Sequence, residues 1–420
     1  MSIAHALRGV GWVALALAMV GCDDGGRGTA STVAVPAPVA STSLPVIKIG
    51  IALSSTGKYA QEGADMRNGY DLWAEMANAR GIMVGGAMHR VELVYLDDES
   101  SPETAAKQVE SLVKKHGVRF LFGPYSSELT KSASLEAEKL GVIMVEGGGA
   151  AEDLFERGQK LLFAVIAPAG VYPLSSLEAL YAKGARTVAL AYENSSFPTS
   201  VAKGAKRWAT SPRLQDVRIV AEATYSRDFT ATEIRDIVAR VKALDPDVFF
   251  VGCHDQDARV FAAEVRQQGF TPKALVMTVG PCNPHFVASL GAGAEHLLGP
   301  TQWHPSMDLH DLFFGSARDY DDRYRAKYRV PASYQAAEAS ACGMALMCAI
   351  QRAGALETQA VAAAMRSLDV TTFFGRIQFD DTGKNVAKQM GTTQVLGGEV
   401  VLVAPGEKLL DRLVYPVPRK

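Results

Sequence analysis

The residues best suited to contact a small molecule form the run Gly123-Pro124-Tyr125-Ser126-Ser127, between a predicted strand and a predicted helix. Two hydroxyls, together with the backbone N–H groups at a helix start, can bind a carboxylate or an amide oxygen. The alternative is that one serine simply caps the helix, and the two roles are compatible. We therefore expect this corner to contact a ligand.

Signatures of catalysis and of cofactor binding are weak. The chain has no G-x-S-x-G elbow and no H-E-x-x-H helix. The run Ser54–Tyr59 lacks the glycine and the Ser/Thr of a phosphate loop, and Gly147-Gly148-Gly149 is followed by Glu152 where a dinucleotide site has its third glycine. His254 has two nearby aspartates, but these open a predicted helix, where carboxylates are favourable anyway. We predict no catalytic residue, no metal site and no cofactor.

Predicted strands and helices alternate along the chain, which indicates parallel sheets with helices on both faces. The alternation runs once from residue 47 to 145 and then restarts, so the 420 residues predict two such lobes. Ligands of parallel sheets bind beyond the carboxyl ends of the strands. This selects the loops at 54–57, 97–100, 123–127, 146–150, 192–197, 252–255 and 279–283.

The first 22 residues are predicted to be an export signal. Val10–Val20 is apolar but shorter than the ~20 residues that span a bilayer. It ends in Met19-Val20-Gly21-Cys22, which resembles a bacterial lipobox, so Cys22 is the predicted site of lipidation; an ordinary signal peptide with an incidental cysteine is the alternative. Residues 23–45 are rich in Ala, Ser, Thr, Pro and Gly and are predicted to be a flexible tether.

The remaining cysteines and the charge balance narrow the function further. Cys253 and Cys282 each follow a predicted strand and could form a disulfide after export; two free thiols are the alternative. No Cys/His spacing suggests zinc. The net charge is −2 and no Lys/Arg block occurs, so the sequence does not predict a nucleic-acid partner.

Six segments, in this order and spacing, resemble the type I periplasmic solute-binding proteins of ABC importers, in the branch that binds leucine, isoleucine, valine and amides. The likeness extends from Ile47 to Pro405. The segments are IKIGIALSSTGKYAQEGADMRNG, VELVYLDDESSPETA, FLFGPYSSELTKSA, KALDPDVFFVG, RYRAKYRVPASYQAAEA and FFGRIQFDDTGKNV.

The resemblance implies an α/β fold of two doubly wound parallel-sheet lobes joined by three crossovers. It places lobe 1 at residues 46–166 and 299–373, lobe 2 at residues 167–298 and 374–404, and a C-terminal tail at residues 405–420. The ligand would lie between the lobes and close them. The residues expected to bind it are Ser55, Thr56, Gly57, Glu62, Tyr125, Ser126, Ser127, Gly148, Gly149, Ala150, Tyr192, Phe197, Cys253 and Cys282.

Several positions depart from the amino-acid binders of this branch. The loop Glu146–Ala150 lacks their ligand-binding hydroxyl, Cys282 stands where an acidic residue often holds the ammonium group, and Phe197 replaces a tyrosine. Glu62 stands where an aromatic residue often lines the cleft. Glu62 and Glu146 could attract an amide or amine; alternatively, Glu62 is an exposed lip residue and Glu146 a strand-end carboxylate bound to backbone N–H groups.

These features predict a lipid-anchored substrate-binding protein on the periplasmic side of a bacterial membrane. It would capture a small polar or amphipathic solute, such as an amino acid or amide, and deliver it as a monomer to the permease and ATPase subunits of an ABC importer. One alternative is a sensor that reports to a receptor or kinase. Another is an amide hydrolase that uses Ser126 and Ser127, for which the only histidine in the cleft loops is His254 of the opposite lobe.

Overall fold

The computed structural model describes residues 44–418, so the predicted signal, Cys22 and the tether up to residue 43 lie outside the described residues. The first third of the described chain builds one sheet. Its elements are β1 (Val46–Leu53), α1 (Ala60–Arg80), β2 (Ile82–Val84), β3 (Ala87–Asp97), α2 (Pro102–Lys114), β4 (Phe120–Phe122), α3 (Ser127–Lys139), β5 (Met144–Glu146) and β6 (Leu162–Ala164).

A second alternation follows directly and begins a second sheet. Its elements are α4 (Tyr172–Ala182), β7 (Thr187–Glu193), α5 (Ser196–Ala209), β8 (Arg218–Tyr225), α6 (Ala231–Leu244), β9 (Val248–Gly252), α7 (Asp255–Gln267), β10 (Leu275–Met277), α8 (Pro284–Leu290) and β11 (Leu298–Thr301).

The last part of the chain adds helices that pack on the first sheet and two strands to the second sheet. Its elements are β12 (His310–Asp311), β13 (Gly315–Ser316), α9 (Ala317–Tyr328), α10 (Tyr334–Ala353), α11 (Thr358–Arg366), β14 (Asp369–Thr372), β15 (Gly375–Gln378), β16 (Gly391–Leu396), β17 (Glu399–Ala404) and α12 (Glu407–Leu410).

The strand order shows two doubly wound sheets. The first runs β2-β3-β1-β4-β5-β6 and is parallel except for β2. The second runs β17-β16-β11-β10-β9-β7-β8 and is parallel from β11 to β8. At its other end, β16 pairs antiparallel with β11, and β17 pairs antiparallel with β16. We call the first sheet with α1–α3, α10 and α11 lobe 1, and the second sheet with α4–α8 lobe 2. The predicted fold class is confirmed; the expected boundary at residue 299 falls inside β11.

Local sequence explains why these elements form. Residues of β1 from Ile47 onward are almost all buried, as expected for a central parallel strand covered on both faces. The predicted start of α2 is confirmed, since the Ser101 hydroxyl accepts a hydrogen bond from the N–H of Thr104 at 3.3 Å and Pro102 occupies the first turn.

Helix α10 is packed unusually closely against α1. A Cβ at Gly69 would lie 2.0 Å from the carbonyl oxygen of Ala336, and a Cβ at Gly343 would lie 2.1 Å from the ring of Trp73. Glycine is therefore required at both contacts. This packing buries nearly all of α10 and fixes its first turns beside the carboxyl end of β5, where Glu338 lies against Gly147.

Three crossovers connect the lobes and are hydrogen-bonded to one another. The Asn385 side-chain amide donates to the carbonyl of Val165 at 2.7 Å, while the Gln302 side chain both donates to and accepts from the backbone of Ala167. The Lys388 ammonium group donates to the carbonyl of Gln302 at 2.5 Å. All three polar side chains are buried, so these hydrogen bonds join the crossovers to one another in the interior of the protein.

Within residues 44–418, no single helix is both long and apolar enough to cross a membrane. The sharply bent pair α10 and α11 meets the length and composition test only when the two helices are taken together.

Candidate ligand-binding cleft

A small cavity of about 10 Å³ lies between the lobes, where the carboxyl ends of the parallel strands of both sheets approach each other. Loops after β4 and β5 form one wall, and loops after β7, β9 and β10 form the other. The lining residues are Tyr125, Gly147, Gly148, Ala150, Ile166, Tyr172, Phe197, His254, Val279, Tyr334 and Glu338.

Aromatic rings from both lobes close the entrance to this cavity. The ring centroids of Tyr59 and Tyr125, both of lobe 1, lie 5.5 Å apart. The ring of His254 in lobe 2 contacts both, with centroid distances of 5.2 Å to Tyr59 and 5.9 Å to Tyr125. His254 also contacts Phe197 at 5.4 Å, and Phe197 contacts Tyr172 at 5.2 Å. Burial lowers the pKa of His254 to about 4, so its imidazole is neutral near pH 7. The structure therefore shows a closed cleft with aromatic walls.

A buried ion triad, which we call the latch, joins the lobes at one edge of the cleft. The ammonium group of Lys58 in lobe 1 lies 2.6 Å from a carboxylate oxygen of Glu193 and 3.3 Å from one of Asp257, both in lobe 2. The two carboxylates are fully buried. Burial raises the pKa of Asp257, with the neighbouring charge of Glu193 adding to the effect. The latch can form only when the lobes are closed.

A second interlobe cluster surrounds His285 of lobe 2. Its ring nitrogens lie 3.4 Å from Asp65 of lobe 1 and 3.3 Å from Asp255 of lobe 2. Burial alone would lower the pKa of His285, but the nearby carboxylates of Asp255 and Asp65 raise it above 6.5. Glu62 belongs to this cluster and is only 2 % exposed, so the alternative of an exposed lip residue is wrong. Burial and the charge of Asp255 raise the pKa of Glu62 to about 8.

The glycine loop after β5 is held by Glu146. One carboxylate oxygen of Glu146 accepts a hydrogen bond from the N–H of Gly149 at 2.6 Å, as expected for a strand-end carboxylate. Burial raises the pKa of Glu146 to about 8. Glycine is needed here because a Cβ at Gly148 would lie 2.6 Å from the carbonyl oxygen of Pro124. The loop thus presents Gly148 and Ala150 to the cavity and keeps Gly149 behind them.

The predicted serine corner lies beside the cavity, and both of its hydroxyls have protein partners. The Ser126 hydroxyl accepts from the N–H of Leu129 and caps α3, while the Ser127 hydroxyl accepts from the N–H of Ala151 at 3.0 Å. Ser126 has φ 76°, in the left-handed region, a conformation that costs roughly 1–3 kcal/mol and clusters at functional sites. Helix capping is therefore confirmed, and of this corner Tyr125 lines the cavity.

Ten of the fourteen predicted residues do not line the cavity, and four of these ten, Ser55, Thr56, Gly57 and Tyr192, belong to turns or side chains bound elsewhere. The N–H of Ser55 and the hydroxyl of Thr56 both donate to Asp97, which folds the turn containing Gly57 against β3. The Tyr192 hydroxyl donates to Glu222 of β8 at 2.7 Å, on the outer part of lobe 2. In each case the side chain or turn is bound to its own lobe.

Cys253 and Cys282 are both buried free thiols, so the proposed disulfide is not formed. The Cys253 thiol donates to the carbonyl of Val251 at 3.6 Å, within its own loop. Neither thiol lines the cavity, although Cys282 borders a larger cleft of about 420 Å³ on the far side of Tyr334. Among residues 44–418, no group of His, Cys, Asp or Glu side chains is arranged to hold a metal ion.

The sequence analysis missed several cavity residues, of which Glu338 is the most consequential. It is 1 % exposed, and neither carboxylate oxygen has a hydrogen-bond partner among the described residues. One signal could have revealed it: Glu338 is the single charged residue in the otherwise apolar run AAEASACGMALMCAI. Such an isolated charge in a core helix requires a partner or a function. The other cavity residues that were missed are Gly147, Ile166, Tyr172, His254, Val279 and Tyr334.

Comparison with known proteins places this geometry in context. A family model described as periplasmic binding protein matches residues 46–399. A relative from Brucella suis, Leu/Ile/Val-binding protein homolog 7, is 22% identical over 398 residues, which cover 88% of this chain and 94% of the relative. The leucine-, isoleucine-, valine-, threonine-, and alanine-binding protein of Pseudomonas aeruginosa is 23% identical, with 82% of this chain and 88% of the relative covered.

Solved structures share the fold. The branched-chain amino acid transporter substrate-binding protein LivJ from Streptococcus pneumoniae, in complex with isoleucine, has a TM-score of 0.74 at 23% identity and covers 86% of this chain and 100% of its own. A solute-binding protein from R. palustris in complex with benzoate has a TM-score of 0.70 at 18% identity, with 85% and 95% covered. These two proteins bind chemically different ligands on one fold, so the fold alone does not select the ligand.

Proposed function

For this chain, which belongs to the periplasmic binding protein family, we propose the role of substrate-binding component of an ABC importer. The observation that carries the proposal is the cavity between the lobes, which is lined by residues of both and covered by rings from both. A ligand enclosed in this way contacts two bodies at once. Its binding energy is therefore coupled to the relative position of the lobes, which is the signal that a transporter can recognise.

Capture proceeds by closure. In the open form, lobe 1 presents Tyr125 and the glycine loop to an incoming solute. Lobe 2 then turns about the crossovers and brings Phe197 and His254 over the ligand. Closure also forms the latch and the ion pair between Arg227 and Glu128, whose charged atoms lie 2.7 Å apart. The closed form is thus held by interlobe contacts outside the cavity as well as by the ligand.

The ligand is a small polar or amphipathic solute. Aromatic walls favour apolar or cationic groups, while the backbone of the glycine loop and the buried carboxyl group of Glu338 supply hydrogen-bonding partners. In the closed structure the cavity measures about 10 Å³, far below the ~300–1,000 Å³ of sites for drug-sized ligands. A ligand therefore requires the lobes to separate, and the cavity volume does not set its size.

The location and partners complete the proposal. The protein acts in the periplasm as a monomer, anchored through a lipid on Cys22, and delivers its ligand to permease and ATPase subunits. The predicted tether gives the lobes reach from the membrane while keeping their local concentration high. In this proposal the protein performs no chemistry on the ligand: within the described residues, no His, Asp, Glu or Lys side chain is hydrogen-bonded to the hydroxyl of Ser126 or Ser127, whose oxygens accept from backbone N–H groups.

A thermal-shift screen of the full chain tests the proposal. Amino acids, short amides, primary amines and aromatic carboxylates are each added at a series of concentrations. A ligand at 100 times its dissociation constant should stabilise the closed form by about 2.7 kcal/mol, and the unfolding temperature should rise with concentration. Phe197→Ala should weaken this shift, whereas Phe229→Ala, which removes a ring that packs on Tyr225 outside the cavity, should preserve it. Failure of every class to stabilise the protein would contradict the proposed function.

A further inference from the structure

Glu338 is the least satisfied charged group at the cavity. It projects from the second turn of α10, lines the cavity, and has no hydrogen-bond partner for either carboxylate oxygen within the described part of the chain. Isolating an ionised carboxylate from water is so costly that such a group binds a proton or an opposite charge. The structure therefore leaves Glu338 with an unmet requirement at the place where a ligand would lie.

The surroundings of Glu338 do not meet this requirement from within the protein. The Lys388 ammonium group is near enough to interact electrostatically, but it donates to the carbonyls of Gln302 and Gln389 and does not line the cavity. On the other side, the carboxyl group of Glu146 adds negative charge. Burial, reinforced by Glu146, raises the pKa of Glu338 well above its usual value, and Lys388 only partly opposes this.

Space and ring chemistry at the same spot favour a cation. Gly147 has no side chain, and a Cβ there would already be 3.2 Å from the Cβ and Cγ of Glu338, so a larger residue would press on the Glu338 side chain where both residues line the cavity. Four aromatic side chains, Tyr125, Tyr172, Phe197 and Tyr334, line the remaining walls. Aromatic faces attract organic cations, by roughly 0.5–2 kcal/mol for each contact.

We propose that the ligand of this cavity carries a protonated amino group and that Glu338 receives it. This inference rests on the proposed function, because it names the ligand class of the same site. A benzoate-like anion would instead place its carboxylate against Glu338 and close to Glu146. A primary amine, an amino acid or a related small cation satisfies Glu338, stacks its apolar part on the rings, and requires no acidic residue at Cys282.

Matched probes separate charge from shape. Binding of benzylamine, benzyl alcohol and benzoate, and of 3-methylbutylamine, 3-methylbutanol and 3-methylbutanoate, is measured by titration calorimetry with the full chain at pH 7. We expect each amine to bind at least 10-fold more tightly than its alcohol, and each carboxylate to bind most weakly. Glu338→Gln should weaken amine binding by about 10- to 100-fold, the usual range for a charged hydrogen bond, and change alcohol binding less than threefold. Glu138→Gln, the same substitution in α3 away from the cavity, should change neither.

A proton count gives a second readout that needs no variant. If Glu338 holds a proton in the empty cavity and loses it to pair with an amine, binding of benzylamine should release close to one proton. The release is measured by repeating the titration in buffers of different ionisation enthalpy. Binding of benzyl alcohol should release none, and Glu338→Gln should abolish the release. The ionisable groups that interact electrostatically with Glu338 and could share the proton are Glu146, Lys388, Cys282, Cys342, Tyr70, Tyr125, Tyr172 and Tyr334.

The remaining outcomes overturn the inference in distinguishable ways. If carboxylates or alcohols bind as tightly as amines, or if Glu338→Gln weakens amines and alcohols equally, the inference is wrong while the proposed function stands. If no compound of any class binds, both are wrong.

Discussion

Removing the cation of the latch should open the protein. Lys58→Met keeps the length and apolar stem of the side chain but deletes its charge, leaving Glu193 and Asp257 facing each other, both fully buried, in the closed form. Breaking a buried ion pair by removing one partner costs about 3–5 kcal/mol. Lys58 is 13 % exposed and Glu193 keeps its hydrogen bond from the Ser195 hydroxyl, so the lower end applies.

A cost of about 3 kcal/mol corresponds to roughly 100-fold in the equilibrium between open and closed forms. Lys58 reaches the two carboxylates from the opposite lobe, so we expect most of the cost to fall on closure and less of it on the folding of either lobe. The apparent affinity for any ligand that requires closure should fall by up to the same factor.

Small-angle X-ray scattering measures this effect directly. The wild-type protein saturated with its tightest-binding probe should have the radius of gyration of the closed structure, whereas Lys58→Met at the same probe concentration should be more expanded. Lys107→Met is the matched control, because Lys107 forms an exposed pair with Glu103 within α2 and should change closure by less than about 0.5 kcal/mol. An unchanged radius of gyration together with a dissociation constant within threefold of wild type would refute the role of the latch.

Three further perturbations test other contacts. Because the pKa of His285 is raised in the closed form, protonated His285 stabilises that form fully below pH 6.5, and this stabilisation is lost as the pH rises through the higher, closed-form pKa. Fluorescence energy transfer between labels on the two lobes should follow this loss. A pH response that persists in His285→Gln would contradict the assignment. Gly69→Ala places a methyl group against α10 and should lower the free energy of unfolding, measured by urea denaturation, by about 1–3 kcal/mol or more. Gln61→Ala, on the exposed side of α1, should change it by less than about 0.5 kcal/mol. Equal effects of the two substitutions would refute the close contact. Asn385→Ala leaves buried crossover backbone groups without partners and should cost at least about 2 kcal/mol, and a neutral result would show that water replaces the amide.

Much of the fold was predictable from local signals. The alternation of apolar strands with capped helices, such as the Ser101-Pro102 start of α2, depends on interactions between residues close in sequence. These elements can therefore be predicted from the local pattern alone. The rule that ligands bind beyond the carboxyl ends of parallel strands correctly selected the loops containing Tyr125, Ala150 and Phe197, which line one cavity.

The rest depended on tertiary contacts that no local pattern contains. Glu338 reaches the cavity from a helix, not a loop, because the contact between α1 and α10 sets how far that helix advances toward β5. Ser55 and Thr56 belong to a selected loop, yet Asp97 from the end of the neighbouring strand binds them. Tyr192 is likewise bound by Glu222 across two adjacent strands. Which partner a polar side chain finds is decided by strand neighbours far away in sequence.

The interleaving of the chain between the lobes has a consequence for how the molecule is made. Sheet 2 is completed by β16 and β17 from residues 391–404, and the core of lobe 1 needs α10 from residues 334–353. During synthesis from the N-terminus, lobe 1 cannot complete its core before residue 353 has been added, and lobe 2 cannot complete its sheet before residue 404. Partial chains therefore expose the apolar edge of β11 and the glycine-rich face of α1. Nonsense truncations that remove residues 391–404 should therefore leave the second sheet incomplete, whereas truncations before residue 334 should also remove α10 from the core of lobe 1.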